Sequence, residues 1–581
     1  MLHMPQDTPY LSTKAKQQNS YDAIVVGSGI SGGWAAKELC ELGLKVLLLE
    51  RGREVRHPNY PTAGLAPWDF PHRLSLDRSD RERSPIQSRH YSYREDNKHF
   101  YIDDRENPYE EVKRFDWIRG DVVGGRSLLW GRQCYRLSDL DFEANLRQGI
   151  GVDWPIRYKD IAPWYDHAER FIGVSGNADR VPHLPDGKYQ PPMAMNCVEE
   201  YFSSQVAAKF ADRRVIMGRT ANLTQPVKGR GQCQYRDLCH RGCPYGAYFS
   251  TNASTLPAAF ATGKLTLKSG SLVNRVLYDR DDRGNKGGVH AKGRATGVEV
   301  IDRDTGKVEE YFARLIFLNA ATLATAFILL NSRSERWPEG LGNGSGQVGR
   351  NLMDHHKSHG VSGIVPGFED KYYYGRRPTG LYIPRWQNFS GEHRDYIRGF
   401  GYEGAASRAG GRAHSDAEIG SSLKDAAVEP GPWNISFSGF GECLPYQENR
   451  VILNTDKKDK WGRNTLSVDA EFRENERAMN RDMIVAMQEM LDAAGCKDIH
   501  AGAGMSFPGN ANHEMGTARM GRDPRTSVLN GFNQLHEVGN VFITDGSFMT
   551  SSGSANPSLT YMAMTARAAH YAVEELKKGN I

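Results

Sequence analysis

The stretch YDAIVVGSGISGGWAAKELCELGLKVLLLE, residues 21–50, constrains the fold more than any other part of the chain. Ala23–Val26 is a short apolar run ended by Gly27, Trp34–Leu42 suits a helix, and Leu44–Leu49 is a second apolar run closed by Glu50. That order reads as strand, glycine turn, helix, strand. Gly27, Gly29 and Gly32 spell G-x-G-x-x-G across the turn. The first glycine allows the tight turn, the second lets a pyrophosphate approach bare backbone, and the third permits close helix packing. Phosphates would then lie at the helix N-terminus, where free N–H groups and the dipole favour negative charge. Glu50 follows Gly32 by 18 residues, with Arg51 beside it, placed for a ribose hydroxyl. An acid there disfavours a 2′-phosphate. The element predicts an α/β dinucleotide-binding domain and by itself does not separate NAD from FAD.

A chain of 581 residues exceeds the ~100–200 residues of one ordinary domain, so further domains are expected. Its 74 basic and 70 acidic residues nearly cancel to a net charge of +4. With no Lys/Arg stripe, nucleic-acid binding is not expected. The longest apolar stretch, Leu315–Leu330, is interrupted by Asn319, Thr322 and Thr325 and is short of the ~20 residues of a spanning helix, so no membrane span is expected. Residues 1–20 read as a polar tail without an apolar signal region or twin arginine. The chain is thus expected to carry no export signal of its own; a passenger exported with a signal-bearing partner would look the same. Residues 53–118 are mixed-charge and aromatic-dotted without periodicity, which predicts a solvated surface excursion. Residues 205–345 predict a second α/β stretch, with strands at Leu265–Leu267, Leu272–Leu277, Ala295–Ile301 and Ala313–Leu318 and a helix at Ala320–Leu330. Shorter strands are expected at Val451–Leu453 and Thr465–Val468, and a helix at Glu474–Ala494 whose methionines at helical spacing read as core.

Four further segments, in this order and spacing, carry a family resemblance: GDVVGGRSLLWG (120–131), QVGRNLMDHH (347–356), NHEMGTARMG (512–521) and VFITDGSFMTSSGSANPSLTYMAMTARAA (541–569). Together they resemble the glucose–methanol–choline (GMC) family of FAD oxidoreductases over nearly the whole chain. The resemblance implies an α/β fold: a Rossmann-like FAD-binding domain built from discontinuous segments, plus an α+β substrate domain over the flavin. The FAD domain would comprise 21–135, with the 53–118 excursion, then 205–345 with a cysteine-bearing loop at 230–246, and 511–581. The substrate domain would take 136–204 and 346–510. By resemblance Gly124, Gly125 and Ser127 lie against flavin and pyrophosphate, the Val273 backbone meets the adenine, and Asp545 and Gly546 close the site. Val273 is equally a plain strand residue.

Oxidation of an alcohol by a flavin needs a base for the hydroxyl proton and a carbon aligned for hydride transfer. His513 in HEMGT matches the family's catalytic histidine, and neutral imidazole accepts a proton near neutral pH. Its partner position, in SANPSLT, is Asn556, whose amide can hold a substrate oxygen but cannot act as a base; the alternative is a turn residue before Pro557. His355 and His356 read as structural residues of the NLMDH segment. Some relatives attach flavin to a histidine in a Ser-Thr-His-Trp segment; here the segment is Ser127-Leu128-Leu129-Trp130, which has no nucleophile and implies non-covalent FAD.

Three of the eight cysteines, Cys233, Cys239 and Cys243, fall within eleven residues as C-x5-C-x3-C. Such a set suits metal ligation better than disulfides; zinc would want a fourth ligand, with His240 adjacent, whereas three thiolates can hold a three-iron cluster. The spacing resembles the segment holding a 3Fe-4S cluster in bacterial membrane-linked sugar dehydrogenases. Arg230, Arg236 and Arg241 would offset cluster charge or simply solvate the loop. No C-x-x-C-H is present, so no c-type haem is expected in this chain. The resemblance implies an FAD/iron–sulfur dehydrogenase oxidising a sugar or glycoside hydroxyl. Its expected partners are a cytochrome c acceptor and a small signal-bearing chaperone subunit, with periplasmic export (alternatively a cytoplasmic location). Glucoside 3-dehydrogenases making 3-keto sugars resemble it most in the 53–118 excursion and in HEMGTARMG. Gluconate 2-dehydrogenase, glucose 1-dehydrogenase and an oxygen-using sugar oxidase of the same fold remain open.

Overall fold

The computed structural model describes residues 19–278, 293–372, 376–389, 393–408 and 419–581. The polar tail expected at 1–20 lies almost wholly outside them. Strand β1 (Ser20–Val26), helix α1 (Ile30–Glu41) and strand β2 (Val46–Leu49) follow in the order read from the sequence. Ala23–Val26 of β1 and all of β2 are apolar runs, as suits a parallel sheet covered on two faces. They pair in parallel, Val25 opposite Leu48, and β1 continues in parallel to Val308–Leu318. Leu265–Lys268 adds in parallel beyond β2, while Ala295–Asp302 and Ser271–Tyr278 add antiparallel on the other side. The seventh strand, Val541–Ile543, is brought from the far end of the chain to pair in parallel with Val308–Leu318. The 21-residue helix Ser558–Lys578 then packs on α1.

This topology positions the site. The carboxyl ends of β1, β2, Val308–Leu318 and Val541–Ile543 deliver Gly27, Glu50, Asn319 and Asp545 to one edge of the sheet. Ligands of open α/β sheets bind outside that edge.

A second seven-stranded sheet, antiparallel throughout, runs Lys497–Ala501, Val361–Ile364, Trp433–Gly441, Phe400–Arg408, Leu381–Ile383, Ile216–Met217, with His356–Lys357 pairing Trp433–Gly441. The helix Glu474–Ala493 buries Met479, Met483, Met487 and Met490 against it, so these methionines are core. A third sheet joins Arg450–Lys458, Asn464–Asp469 and Glu110–Glu111.

Residues 53–118 depart from the sequence expectation. They are not a solvated loop: Tyr60, Phe70, Tyr93, Phe100, Tyr101, Ile102, Tyr109, Phe115 and Ile118 are buried. The segment lacks periodicity because it folds as short 3-10 turns rather than long helices or strands, while its aromatics still supply a core. None of the helices among the described residues is long and apolar enough to cross a membrane.

Candidate active site

A cavity of about 330 Å3 opens along the carboxyl edge of the first sheet. Gly27, Gly29, Glu50, Arg51, Gly125, Ser127, Val273, Asp545, Gly546, His513 and Asn556 all line it. Residues separated by up to 529 positions in the chain are thus brought to one space. Gly32 and Gly124 stand behind the lining. A Cβ on Gly32 would lie 1.7 Å from the Gly27 carbonyl oxygen, so the glycine is required for α1 to pack on its own entry turn. Gly27 has φ +91°, and a Cβ there would meet the Asn319 carbonyl oxygen at 2.4 Å. A Cβ on Gly29, in contrast, would meet nothing within 4 Å. Bare backbone at the start of α1 therefore faces open space, as a bound pyrophosphate needs.

The Glu50 carboxylate is buried and already tied: Oε2 accepts from Ser28 N at 2.9 Å and Ser28 Oγ at 2.6 Å, Oε1 from Gly52 N at 2.7 Å. Burial pushes its pKa up. Each oxygen has two lone pairs, so Oε1 keeps acceptor capacity for a ribose hydroxyl. The Arg51 guanidinium turns to Asn107 (2.5 Å) and Asp121 (3.3 Å). Asp545 is held by Thr325 Oγ1 (2.5 Å) and Ser547 N (3.0 Å). Seven lining side chains present buried polar atoms without a protein partner: Arg119 Nε, Arg132 Nε, Asn319 Nδ2, Glu403 Oε1, Asn512 Oδ1, Asn556 Oδ1 and Tyr561 Oη. Unpaired buried polar groups cost roughly 1–3 kcal/mol each, so the lining fits a large polar occupant such as FAD. Leu129 also lines the cavity and offers no atom for a covalent bond to it.

At the other end of the cavity His513 and Asn556 face the same space as Glu403 and Lys357. Asn556 and the half-buried Glu403 carboxylate line this part of the cavity together, and desolvation raises the Glu403 pKa. The Lys357 ammonium lies over the Tyr91 ring at 4.9 Å. Burial, then the nearby His355, Lys357 and Arg126, hold the His513 imidazole neutral by pushing its pKa well below the usual histidine value.

Several residues that build this corner lie in or near the resembling segments but are not singled out by spacing. Asp354 accepts three backbone N–H bonds from the loop carrying His513: from His513 at 2.9 Å, Gly509 at 2.8 Å and Ala511 at 3.1 Å. Arg126 forms a two-bond pair with Glu514 at 3.0 and 2.6 Å, locking the 120–131 turn to the same loop. His90, Tyr91 and Ser92 of the 53–118 segment also line the cavity, and His90 Nε2 lies 3.1 Å from the Asn510 carbonyl oxygen. His356 packs as a buried core residue beside Met479 Sδ at 3.2 Å. His355 differs from the structural role expected of it: its Nδ1 is 2.8 Å from His513 Nδ1.

Cys233, Cys239 and Cys243 line one small separate cavity together with Asn222, Tyr235 and Tyr245. Burial raises the thiol pKa values of Cys233 and Cys239. Among the described residues no three His, Cys, Asp or Glu side chains are placed to hold a single metal ion. A mononuclear zinc site is accordingly not formed, and His240 is engaged elsewhere, with Nε2 2.7 Å from Asp96 Oδ2. Of the three arginines, Arg230 is buried and tied to the Gly246 and Ile172 carbonyls at 2.8 Å each, Arg236 reaches the Ala63 carbonyl, and Arg241 pairs with Asp96 at 2.7 Å. They brace the loop.

Two family models, both described as GMC oxidoreductase, match residues 21–357 and 445–565. The chain is 28% identical over 580 residues to 2-methyl-1,2-propanediol dehydrogenase of Mycolicibacterium austroafricanum, covering 97% of this chain and 96% of that one. It is likewise 28% identical over 574 residues to the fructose dehydrogenase large subunit of Gluconobacter japonicus, covering 96% and 99%. Among solved structures, pyridoxine 4-oxidase from Mesorbium loti shares the fold at a TM-score of 0.57 and 16% identity, over 95% of this chain and 99% of that one. The chain belongs to the GMC oxidoreductase family, FAD-dependent enzymes that oxidise CH–OH groups.

Proposed function

We propose that this protein is an FAD and iron–sulfur dehydrogenase that oxidises a ring hydroxyl of a sugar or glycoside, as a glucoside 3-dehydrogenase making 3-keto sugars. The observation carrying this reading is the convergence of a neutral His513, Asn556 and the Glu403 carboxylate on one cavity, a donor-and-acceptor wall suited to a polyhydroxylated ring. When bound, FAD supplies the hydride acceptor. His513 takes the proton of the reacting hydroxyl, Asn556 holds its oxygen, and Glu403 accepts hydrogen bonds from neighbouring hydroxyls. The fructose dehydrogenase relative, named as a large subunit, supports a sugar substrate and partner subunits.

Cys233, Cys239 and Cys243 are the residues that would hold a 3Fe-4S cluster. Cysteine thiolates are the usual holders of iron–sulfur clusters. Their donor chemistry fits, and the three line one cavity. Bound there, a cluster would supply single-electron transfer to an external acceptor, which we take to be a cytochrome c. Export to the periplasm with a small signal-bearing subunit completes the reading. An oxygen-using sugar oxidase is the second reading, favoured by the similarity to a relative named paromamine 6′-oxidase, 27% identical over 559 residues.

Low-temperature EPR on the purified chain, before and after anaerobic addition of methyl glucoside, tests the proposal. A three-iron signal that disappears with sugar supports it. Flavin bleaching by sugar without any iron signal transfers the assignment to the oxidase.

A further inference from the structure

The hydrogen bonds behind His513 determine which of its two ring nitrogens can act as the base. His355 is fully buried; its Nε2 lies 2.9 Å from the Gly553 carbonyl oxygen and its Nδ1 2.8 Å from His513 Nδ1. A carbonyl only accepts, so His355 Nε2 carries a proton. Burial lowers the His355 pKa to about 4, so near neutral pH the ring is neutral and its Nδ1 is a bare lone pair. That lone pair accepts from His513, which must then be protonated at Nδ1. The remaining nitrogen of a neutral His513 is an unprotonated Nε2, and His513 lines the active cavity. The two rings stand edge to face at 89° with centroids 5.0 Å apart, and Phe440 packs against His355 from a third side.

We infer that His355 is a positioning residue for the reaction: through Gly553 O, His355 and His513 Nδ1 it fixes His513 as the tautomer whose Nε2 takes the substrate proton. This rests on the reading of His513 as the base. The device has the logic of a serine-protease triad, in which a buried group behind the histidine sets its tautomer, with one difference. The group behind is a neutral imidazole, so it orients without adding negative charge. The other charged groups around the pair do not substitute for it. Lys357 and Arg126 are cations, the Asp354 carboxylate is spent on backbone N–H groups, and Glu514 is paired with Arg126. No proton need pass beyond His513. During turnover the hydroxyl proton goes to Nε2 while the Nδ1–H bond to His355 persists; FAD, when bound, would supply the hydride acceptor.

The test uses the holoenzyme in four forms: wild type, His355→Leu, His355→Gln and His513→Ala. Glutamine can accept from His513 Nδ1–H through its carbonyl and donate to Gly553 O through its amide; leucine can do neither. His355→Leu is expected to keep FAD bound and to slow substrate-driven flavin reduction at least tenfold, short of the ~10²–10⁴-fold loss of removing a general base. His355→Gln is expected to restore most of the rate. In ¹⁵N-histidine NMR, one resonance missing from His513→Ala should report a bare Nε2 and a protonated Nδ1 in wild type and in His355→Gln, and a tautomer mixture in His355→Leu. An unchanged His513 tautomer and rate in the leucine variant would overturn the inference. So would a glutamine variant no better than leucine, since the loss would then be one of packing. Rapid flavin reduction in His513→Ala removes the base reading itself, a separate failure.

Discussion

His513 is a base that buried surroundings keep uncharged. Its pKa is pushed down by burial and by Lys357 and Arg126, so it is ready to accept a proton throughout the neutral range. The rate of flavin reduction by saturating substrate should therefore stay level as pH falls from 8 to about 6.5 and decline only below the ordinary histidine value. Stopped-flow bleaching across that range checks this, and an acid limb centred above pH 7 would contradict it. His513→Ala should lose roughly 10²–10⁴-fold in that rate while retaining FAD. Asp354 matters for a different reason. Asp354→Asn would turn an N–H2 toward either Gly509 and Ala511 or His513, leaving backbone donors facing a donor. The cost is about 1–3 kcal/mol for each group so stranded, read as a lower Tm together with a slower flavin step. At this scale the sequence showed what spacing can show. Gly27, Glu50, His513 and Asn556 stand in recognisable strings, whereas Asp354, Arg126 and Glu403 acquire their roles only from chain segments more than 150 positions away.

Strand β1, its glycine turn and α1 act as one unit, and the unit has a weak point of known geometry. Gly32→Ala places a methyl 1.7 Å from the Gly27 carbonyl oxygen, where only backbone can give way. Overpacking of this kind costs roughly 1–3 kcal/mol, and the turn that moves is the one facing the pyrophosphate. The variant is expected to be purified with much less FAD per chain, measured by flavin absorbance after denaturation; a full complement of FAD would show that the turn does not carry the cofactor. Gly29→Ala, whose methyl points into open space, should fold normally and lose FAD affinity alone. The same unit explains what was legible among the elements. The buried parts of parallel strands are apolar runs, so Ala23–Val26, Val46–Leu49 and Leu315–Leu318 announce themselves. The long antiparallel strands Phe400–Arg408 and Trp433–Gly441 do not, because FGYEGAASR and WNISFSGFG carry glycines and serines. Gly439 and Gly441 are small so that Met483 and Met479 of the covering helix can lie directly on the sheet. A pattern of side-chain hydrophobicity cannot register a residue chosen for its lack of one.

Across the whole molecule the segment 53–118 ties two sites together. Its His90 and Tyr91 line the active cavity, while its Asp96 holds His240 and Arg241 of the cysteine loop and its Tyr60 ring packs under Gly242. Arg132 completes the connection from beneath: it lines the active cavity, stacks over the Tyr248 ring at 5.6 Å, and its charge acts on the Cys239 thiol. Under the proposed function, two separate cavities braced by one segment divide the labour: substrate meets the flavin at one and electrons depart by the other. That division makes a prediction that neither site makes alone. Cys239→Ser removes one thiolate without touching the lining of the active cavity. Anaerobic reduction of the flavin by sugar should proceed at close to the wild-type rate, iron content should fall, and turnover with cytochrome c should drop at least tenfold, while a small artificial dye that reaches the flavin directly should still be reduced. Stopped-flow absorbance, iron analysis and steady-state assays on one preparation give all four readings. Unimpaired cytochrome reduction would place the electron exit elsewhere. A flavin no longer reduced by sugar would instead mean that the loop, through Asp96 and the 53–118 segment, is needed to shape the active cavity, and the two sites would then be one mechanical unit rather than two stations on an electron path.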